Sequence, residues 1–149
     1  MHSEMGIAIW GDIGRVWALA SALESWAQIL PHYRYVRVVE ALHEPERAIL
    51  DMSAWRGRIP LRWRSLVELL PDEHRILFQH IGGAARGMIV EWRIVADGGL
   101  VRATIRHDLD SRYPILRSRL GEYILGHQVI DYVAGRTLRR IKELVEAEK

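Results

Sequence analysis

Between residues 114 and 149 the apolar side chains Leu116, Leu120, Tyr123, Ile124, Ile130, Ala134, Leu138, Ile141 and Val145 recur at helical spacing. A helix over 115–146, about 30 residues, would be about 45 Å long at ~1.5 Å per residue. Alternating, strand-like segments precede it. Such a helix buries its apolar stripe by laying it across the concave face of the sheet those strands form. Tyr123 and His127 sit in this stretch, and Gly121, Gly126 and Gly135 interrupt it. Each glycine weakens a helix interior by about 1 kcal/mol relative to alanine, which implies that something needs the room. The pattern predicts a cavity for a ligand between helix and sheet.

The segments ahead of the helix carry their own signals. Met5, Ile7 and Ile9 alternate with smaller or polar residues in a first strand ending at Trp10-Gly11. Asp12 is the expected N-cap of a short helix, Ile13–Ser21. A second short helix over 23–30 stops at Pro31. Strands are expected at 33–40, 47–55, 60–70, 74–81, 87–96 and 100–110, separated by the turn residues Arg56-Gly57, Pro71-Asp72, Gly82-Gly83 and Asp97-Gly98-Gly99. Spacings this short suit consecutive antiparallel hairpins. The order is strand, two short helices, six strands, long helix: an α+β chain. No repeat, linker or low-complexity segment interrupts it, so Met1–Lys149 reads as one domain.

Composition excludes several classes. No apolar run approaches the ~18 residues of a membrane span, and the start MHSEMG has no signal-peptide pattern. The absence of cysteine rules out disulfides and thiolate metal sites, and a cytoplasmic protein is the simplest expectation. Nineteen arginines against two lysines raise the question of nucleic acid. Arg62, Arg64, Arg93, Arg102 and Arg106 share the outer sheet face, but Glu68, Glu91 and Asp108 are interspersed on it and no nucleic-acid motif appears. A solvated face is expected, with no nucleic-acid partner and no integral membrane association, in a monomer or homodimer.

Alternation also says what points inward. With Arg62, Arg64 and Glu68 outside, Leu61, Trp63, Ser65, Val67 and Leu69 face in. Likewise Met88, Val90, Trp92 and Ile94 face in, as do Val101, Ala103, Ile105, His107 and Leu109. For strand 74–81 either Ile76, Phe78 and His80 face in, or Leu77, Gln79 and Ile81 do; the first set is preferred. The inner surface is thus apolar with a few polar groups, Ser65, His80, His107, Tyr123 and His127, the make-up of a small-molecule pocket. A lone inward His or Trp is ordinarily core, but several buried polar groups together carry a cost of ~1–3 kcal/mol each unless partnered. No HxH or HExxH spacing supports a metal, and neither metal nor cofactor is expected.

The residues now assembled resemble the polyketide cyclase/dehydrase group of the START-like (SRPBCC) superfamily. Val16-Trp17, Leu23-Glu24-Ser25-Trp26, Leu30-Pro31, Tyr33 and Val36 look like its opening helices and second strand. Trp63 with Ser65, Pro71-Asp72, and Gly87-Met88 before Glu91-Trp92 look like its central hairpins, and Thr137-Leu138 with Lys142 and Glu146 like its closing helix. The resemblance covers nearly the whole chain. It implies a helix-grip fold, a curved antiparallel sheet wrapped around a long C-terminal helix with two short helices between strands one and two. It further implies that Trp26, Tyr33, Trp63, Ser65, Met88 and Trp92 line a pocket, as their counterparts do in bacterial aromatase/cyclases. The chain departs from those enzymes at Val67, where they have an inward Arg, at His80 for a second Arg, at His107 for a Gln, and at Ile105 for an aromatic residue.

Ring closure of a poly-β-keto chain needs a folded substrate, a base to remove a methylene proton and a donor to hold the developing oxyanion. His107 is the first candidate base and His80 the second, with Tyr33 or Tyr123 as donor. The expected pocket residues are Trp26, Trp63, Ser65, Val67, Met88, Trp92, Tyr123 and His127. Losing the family arginine at Val67 removes the strongest anion stabiliser. Binding of a small hydrophobic ligand therefore ranks first and cyclisation second. A carrier or sensor of a lipid or quinone, or an interaction module using the outer arginines, are the alternatives.

Overall fold

The computed structural model describes residues 2–42, 46–83, 85–109 and 129–148. Seven strands, β1 (His2–Trp10), β2 (Tyr33–Ala41), β3 (Arg47–Arg56), β4 (Ile59–Leu70), β5 (Arg75–Gly83), β6 (Ile89–Asp97) and β7 (Leu100–Asp108), form one antiparallel sheet in the order β1-β7-β6-β5-β4-β3-β2. From β2 to β7 each strand pairs with the next in sequence. The first strand pairs with the last, so β1 and β2, neighbours in sequence, lie at opposite edges. The connection between them has to cross the sheet. It does so as α1 (Ile13–Ser21), a 3-10 turn (Leu23–Ser25) and α2 (Trp26–Ile29).

Local chemistry explains these short helices. Asp12 is extended and its carboxylate accepts from the Arg15 N–H at 3.2 Å, which starts α1. The segment expected as one helix over 23–30 is instead a 3-10 turn followed by a four-residue α-helix that ends before Pro31. Its register places the Trp26 indole inward, 1% exposed, with Nε1 donating to the Leu19 carbonyl at 3.3 Å.

The described C-terminal helix, α3, spans Asp131–Glu146, and Val129 and Ile130 lead into it with a π-helical turn. The expected N-terminal half of the long helix, with Tyr123, His127, Gly121 and Gly126, lies outside the described residues. Ala134, Thr137, Leu138, Ile141 and Val145 form the buried stripe of α3. The helix is tied to edge strand β1 by a clamp: Lys142 Nζ donates to the Ala8 carbonyl at 2.8 Å, and Glu146, paired with Lys142, accepts from the Trp10 N–H at 3.0 Å. Arg140 Nε donates to the Ile29 carbonyl at 3.1 Å, satisfying the C-terminus of α2.

The inward alternation expected for β4, β6 and β7 holds, and for β5 Ile76, Phe78 and His80 face in. On the outer face the arginines pair across strands. Arg64 lies opposite Asp51 and makes two hydrogen bonds to it, at 2.7 and 3.1 Å. Arg75 lies directly opposite Arg93, a repulsive placement, and Glu91 bridges the two.

Two glycines separate structural need from tolerance. Gly83 has φ of +79°, and a Cβ there would lie 2.5 Å from the Arg62 carbonyl oxygen. Gly135 would meet no described atom within 4 Å, so the room inferred from helix glycines is not needed at this one. Gly83→Ala should destabilise the protein by about 1–3 kcal/mol, whereas Gly135→Ala should stabilise it by up to about 1 kcal/mol. Urea unfolding of the two variants checks both signs.

Candidate functional site

The inner face of the sheet and α3 do not close on one another completely. Between them is a partly open cavity of about 80 Å³ whose wall carries Trp26, Tyr33, Trp63, Met88 and Trp92. Phe78, His80, Ile105, His107, Val133 and Thr137 complete its character: an apolar chamber with few polar atoms. This volume is below the roughly 300–1,000 Å³ of a pocket for a drug-sized molecule, so a ligand larger than a small ring must displace side chains.

One wall is a chain of aromatic contacts that starts at Trp26. Its ring centroid is 5.7 Å from Trp92, 6.3 Å from Phe78 and 5.2 Å from Tyr33. Tyr33 continues to Trp63 at 6.1 Å, and Trp63 stacks on His80 at 6.0 Å. Offset and edge contacts of this kind hold rings in place. The turn after β5 adds backbone anchoring at His80, whose N–H donates to the Met88 carbonyl at 2.9 Å.

His80 and His107 project from β5 and β7 on either side of β6, on the same face. Burial first, and the proximity of His80 second, lower the His107 pKa to about 4 against the opposing charge of Asp108. The ring is therefore neutral near pH 7. Its Nδ1 has no hydrogen-bond partner among the described residues, although the residue is only 7% exposed. Ser65 Oγ is likewise buried without a partner among them. Ser65 and Val67 are inward and buried but do not reach the cavity wall. Sheet twist turns Val67 toward a second groove, beneath the turn at 21–25.

Sequence reasoning did not find the polar centre of the α3 side. Thr137 Oγ1 donates to the Val133 carbonyl at 2.8 Å, which uses its one proton. It therefore accepts from His32 Nε2–H, at 2.9 Å, and lies against the Tyr33 phenol. Burial drives the Tyr33 pKa upward against the opposing influence of Thr137, so the phenol stays protonated. Burial lowers the His32 pKa to about 4, a Val133 backbone bond opposes, and the Arg136 charge adds to the lowering. A threonine amid the apolar positions Ala134, Leu138 and Ile141 was the available signal; its partners, far away in sequence, were not.

Of the residues singled out from sequence, Trp26, Tyr33, Trp63, His80, Met88, Trp92 and His107 thus meet at one cavity. Tyr123 and His127 lie outside the described residues. Among the described residues no cluster of His, Asp and Glu could hold a metal, and no helix is long and apolar enough to cross a membrane.

The two depressed histidines make stability pH-dependent. Their folded values of about 4 lie below the ~6.5 of an unfolded chain. The unfolded state therefore binds more protons in that window. Their contribution is fully present above about pH 6.5 and is lost as pH falls toward 4, at up to about 1.4 kcal/mol per unit for each. Urea midpoints should fall over this range, and His107→Gln should flatten the fall. A wild-type midpoint constant across the window would contradict the burial of these rings.

The family of polyketide cyclase/dehydrase and lipid transport proteins matches residues 12–124. No curated protein matches the sequence. Among solved structures the chain is similar to the Zhui aromatase/cyclase from Streptomyces sp. R1128, with TM-score 0.82, 15% identity, and coverage of 99% of this chain and 94% of that one. It is also similar to TTHA0849 from Thermus thermophilus, with TM-score 0.80, 19% identity, and coverage of 100% and 99%. A START superfamily protein from Mycobacterium smegmatis superposes with TM-score 0.71 at 12% identity, covering 99% of both chains. At these identities the likenesses establish the helix-grip, START-like fold. Because the family match spans more than half of the sequence, the chain belongs to the polyketide cyclase/dehydrase and lipid transport family.

Proposed function

We propose that this protein binds a small hydrophobic molecule of aromatic, polyketide or lipid type in the cavity between sheet and α3. The observation that carries this reading is His107 Nδ1, buried in an apolar chamber with no partner among the described residues. Leaving such an atom unmatched costs about 1–3 kcal/mol. A ligand with one matching polar atom recovers that loss, while its apolar body packs on Trp26, Trp63 and Trp92.

Cyclisation is the second reading, favoured by the neutral His107 imidazole and the His80 ring on the wall of one pocket in a family that includes cyclases. Neutrality is the right protonation state for a base. However, burial that keeps His107 neutral also weakens it as a base: its conjugate acid ionises near 4, well below free imidazole. Abstraction of a methylene proton works best with a base whose pKa lies near the operating pH. Binding without chemistry is therefore the better-supported reading, with His107 and Trp92 as ligand contacts.

Tryptophan fluorescence titration with 1-naphthol tests it. Trp92→Ala should weaken binding by about tenfold or more through lost ring contact. His107→Leu should weaken it about fivefold to tenfold through the lost hydrogen bond, and His107→Gln less. If instead a poly-β-keto substrate is cyclised faster than the background rate, and His107→Gln reduces turnover by about 10²–10⁴-fold at unchanged affinity, the protein is an enzyme and the carrier reading is wrong.

A further inference from the structure

A further concavity adjoins the Thr137 hub at His32, and it carries two arginines where the cavity carries none. It is an open groove of about 530 Å³ lined by Pro31, His32, Trp55, Arg58, Tyr132 and Arg136. Three parts of the fold meet there: the turn after α2, the tip of the β3–β4 hairpin, and the first turns of α3. We propose that this groove is an oxyanion subsite, taking the carboxylate or phosphate end of an amphipathic molecule whose apolar body occupies the cavity. The proposal rests on reading that cavity as a ligand pocket.

Charge is the first argument. Arg15, Arg64, Arg75, Arg93 and Arg140 each have a carboxylate partner. Arg58 and Arg136 have none among the described residues, and no described Asp or Glu lines the groove. Cations gathered without anions repel one another, and an anion placed between them relieves that repulsion.

Preorganisation is the second. The Arg136 guanidinium lies over the Tyr132 ring, 4.3 Å from its centroid, and that of Arg56 lies over the same ring at 4.6 Å. Stacking fixes the plane of a guanidinium while leaving its in-plane N–H edge free to donate two parallel bonds to a carboxylate or phosphate. Lysine could not be held in this way.

Continuity with the cavity is the third. His32 lines the groove, and Thr137 and Tyr33 line the cavity. The two linings meet at one hydrogen bond, His32 Nε2–H to Thr137 Oγ1, at 2.9 Å. A molecule spanning both spaces passes the His32 ring and displaces that bond.

Calorimetric titration with three probes that share a phenylalkyl body tests the inference: 6-phenylhexanoate, uncharged 6-phenylhexanamide, and 5-phenylpentyl phosphate. Binding of the amide reports the cavity; any excess affinity of the anions reports the groove. At low salt the better anion should bind about tenfold or more tightly than the amide, and salt should reduce that advantage. Arg58→Gln with Arg136→Gln should abolish the advantage and leave amide affinity within about twofold, in a protein whose thermal melt is unchanged. The tighter of the two anions identifies the head group. Equal affinity of amide and anions in the wild type, or an advantage that survives the double substitution, would overturn the subsite while leaving the cavity reading intact. Failure of all three to bind would overturn both.

Discussion

Trp26 is the side chain on which the rest of this structure depends. Its indole is buried between α2 and the sheet, bonded through Nε1 to the end of α1 and in ring contact with β2, β5 and β6. One residue therefore joins the helical crossover to both halves of the sheet. The crossover cannot be dispensed with, because β1 and β2 lie at opposite edges and the chain between them must span the concave face. A large aromatic ring suits this position because it reaches several strands at once, and a polar N–H at its rim satisfies a carbonyl at the helix end.

Closure at the other end comes from α3. Its apolar stripe meets the core, and the Lys142–Glu146 clamp fastens it to the backbone of β1. Between the aromatic anchor and this clamp the packing is incomplete. The space left is apolar on nearly all sides, yet it receives an imidazole from β7 and adjoins a threonine on α3. These polar groups differ in kind. Thr137 is bonded to Val133 and His32 and so is part of the wall. His107 Nδ1 is unmatched by the described residues and so is available to whatever enters. The low dielectric that makes the unmatched atom costly also holds the ring neutral.

Family membership and fold agree here, but neither specifies the chemistry, since one scaffold carries many activities. The departures from the aromatase/cyclase pattern are informative at individual positions. His80, His107 and Ile105 all line the cavity. Val67 faces another groove, so its exchange for arginine says less about this cavity than the strand alternation suggests. Arg58 and Arg136 stand instead at the groove behind His32, where stacking on Tyr132 orients Arg136.

What the sequence determined by itself was everything that depends on local periodicity. Alternation assigned the inward faces of β4, β6 and β7, glycine and proline marked the turns, and Asp12 announced α1. These features are legible because each depends on residues within a few positions of one another. The apolar stripe of the C-terminal segment placed that helix across the sheet, and the resemblance implied the same grip. Only tertiary structure decided which inward residues share a space. Ser65 and His80 lie opposite one another on paired strands, yet one is buried behind the wall and the other is on it. The Thr137 hub joins residues 105 positions apart, and the guanidinium cluster joins a hairpin tip to a helix start. No periodicity encodes such meetings. They follow from how far the sheet twists and where the C-terminal helix comes to rest on it.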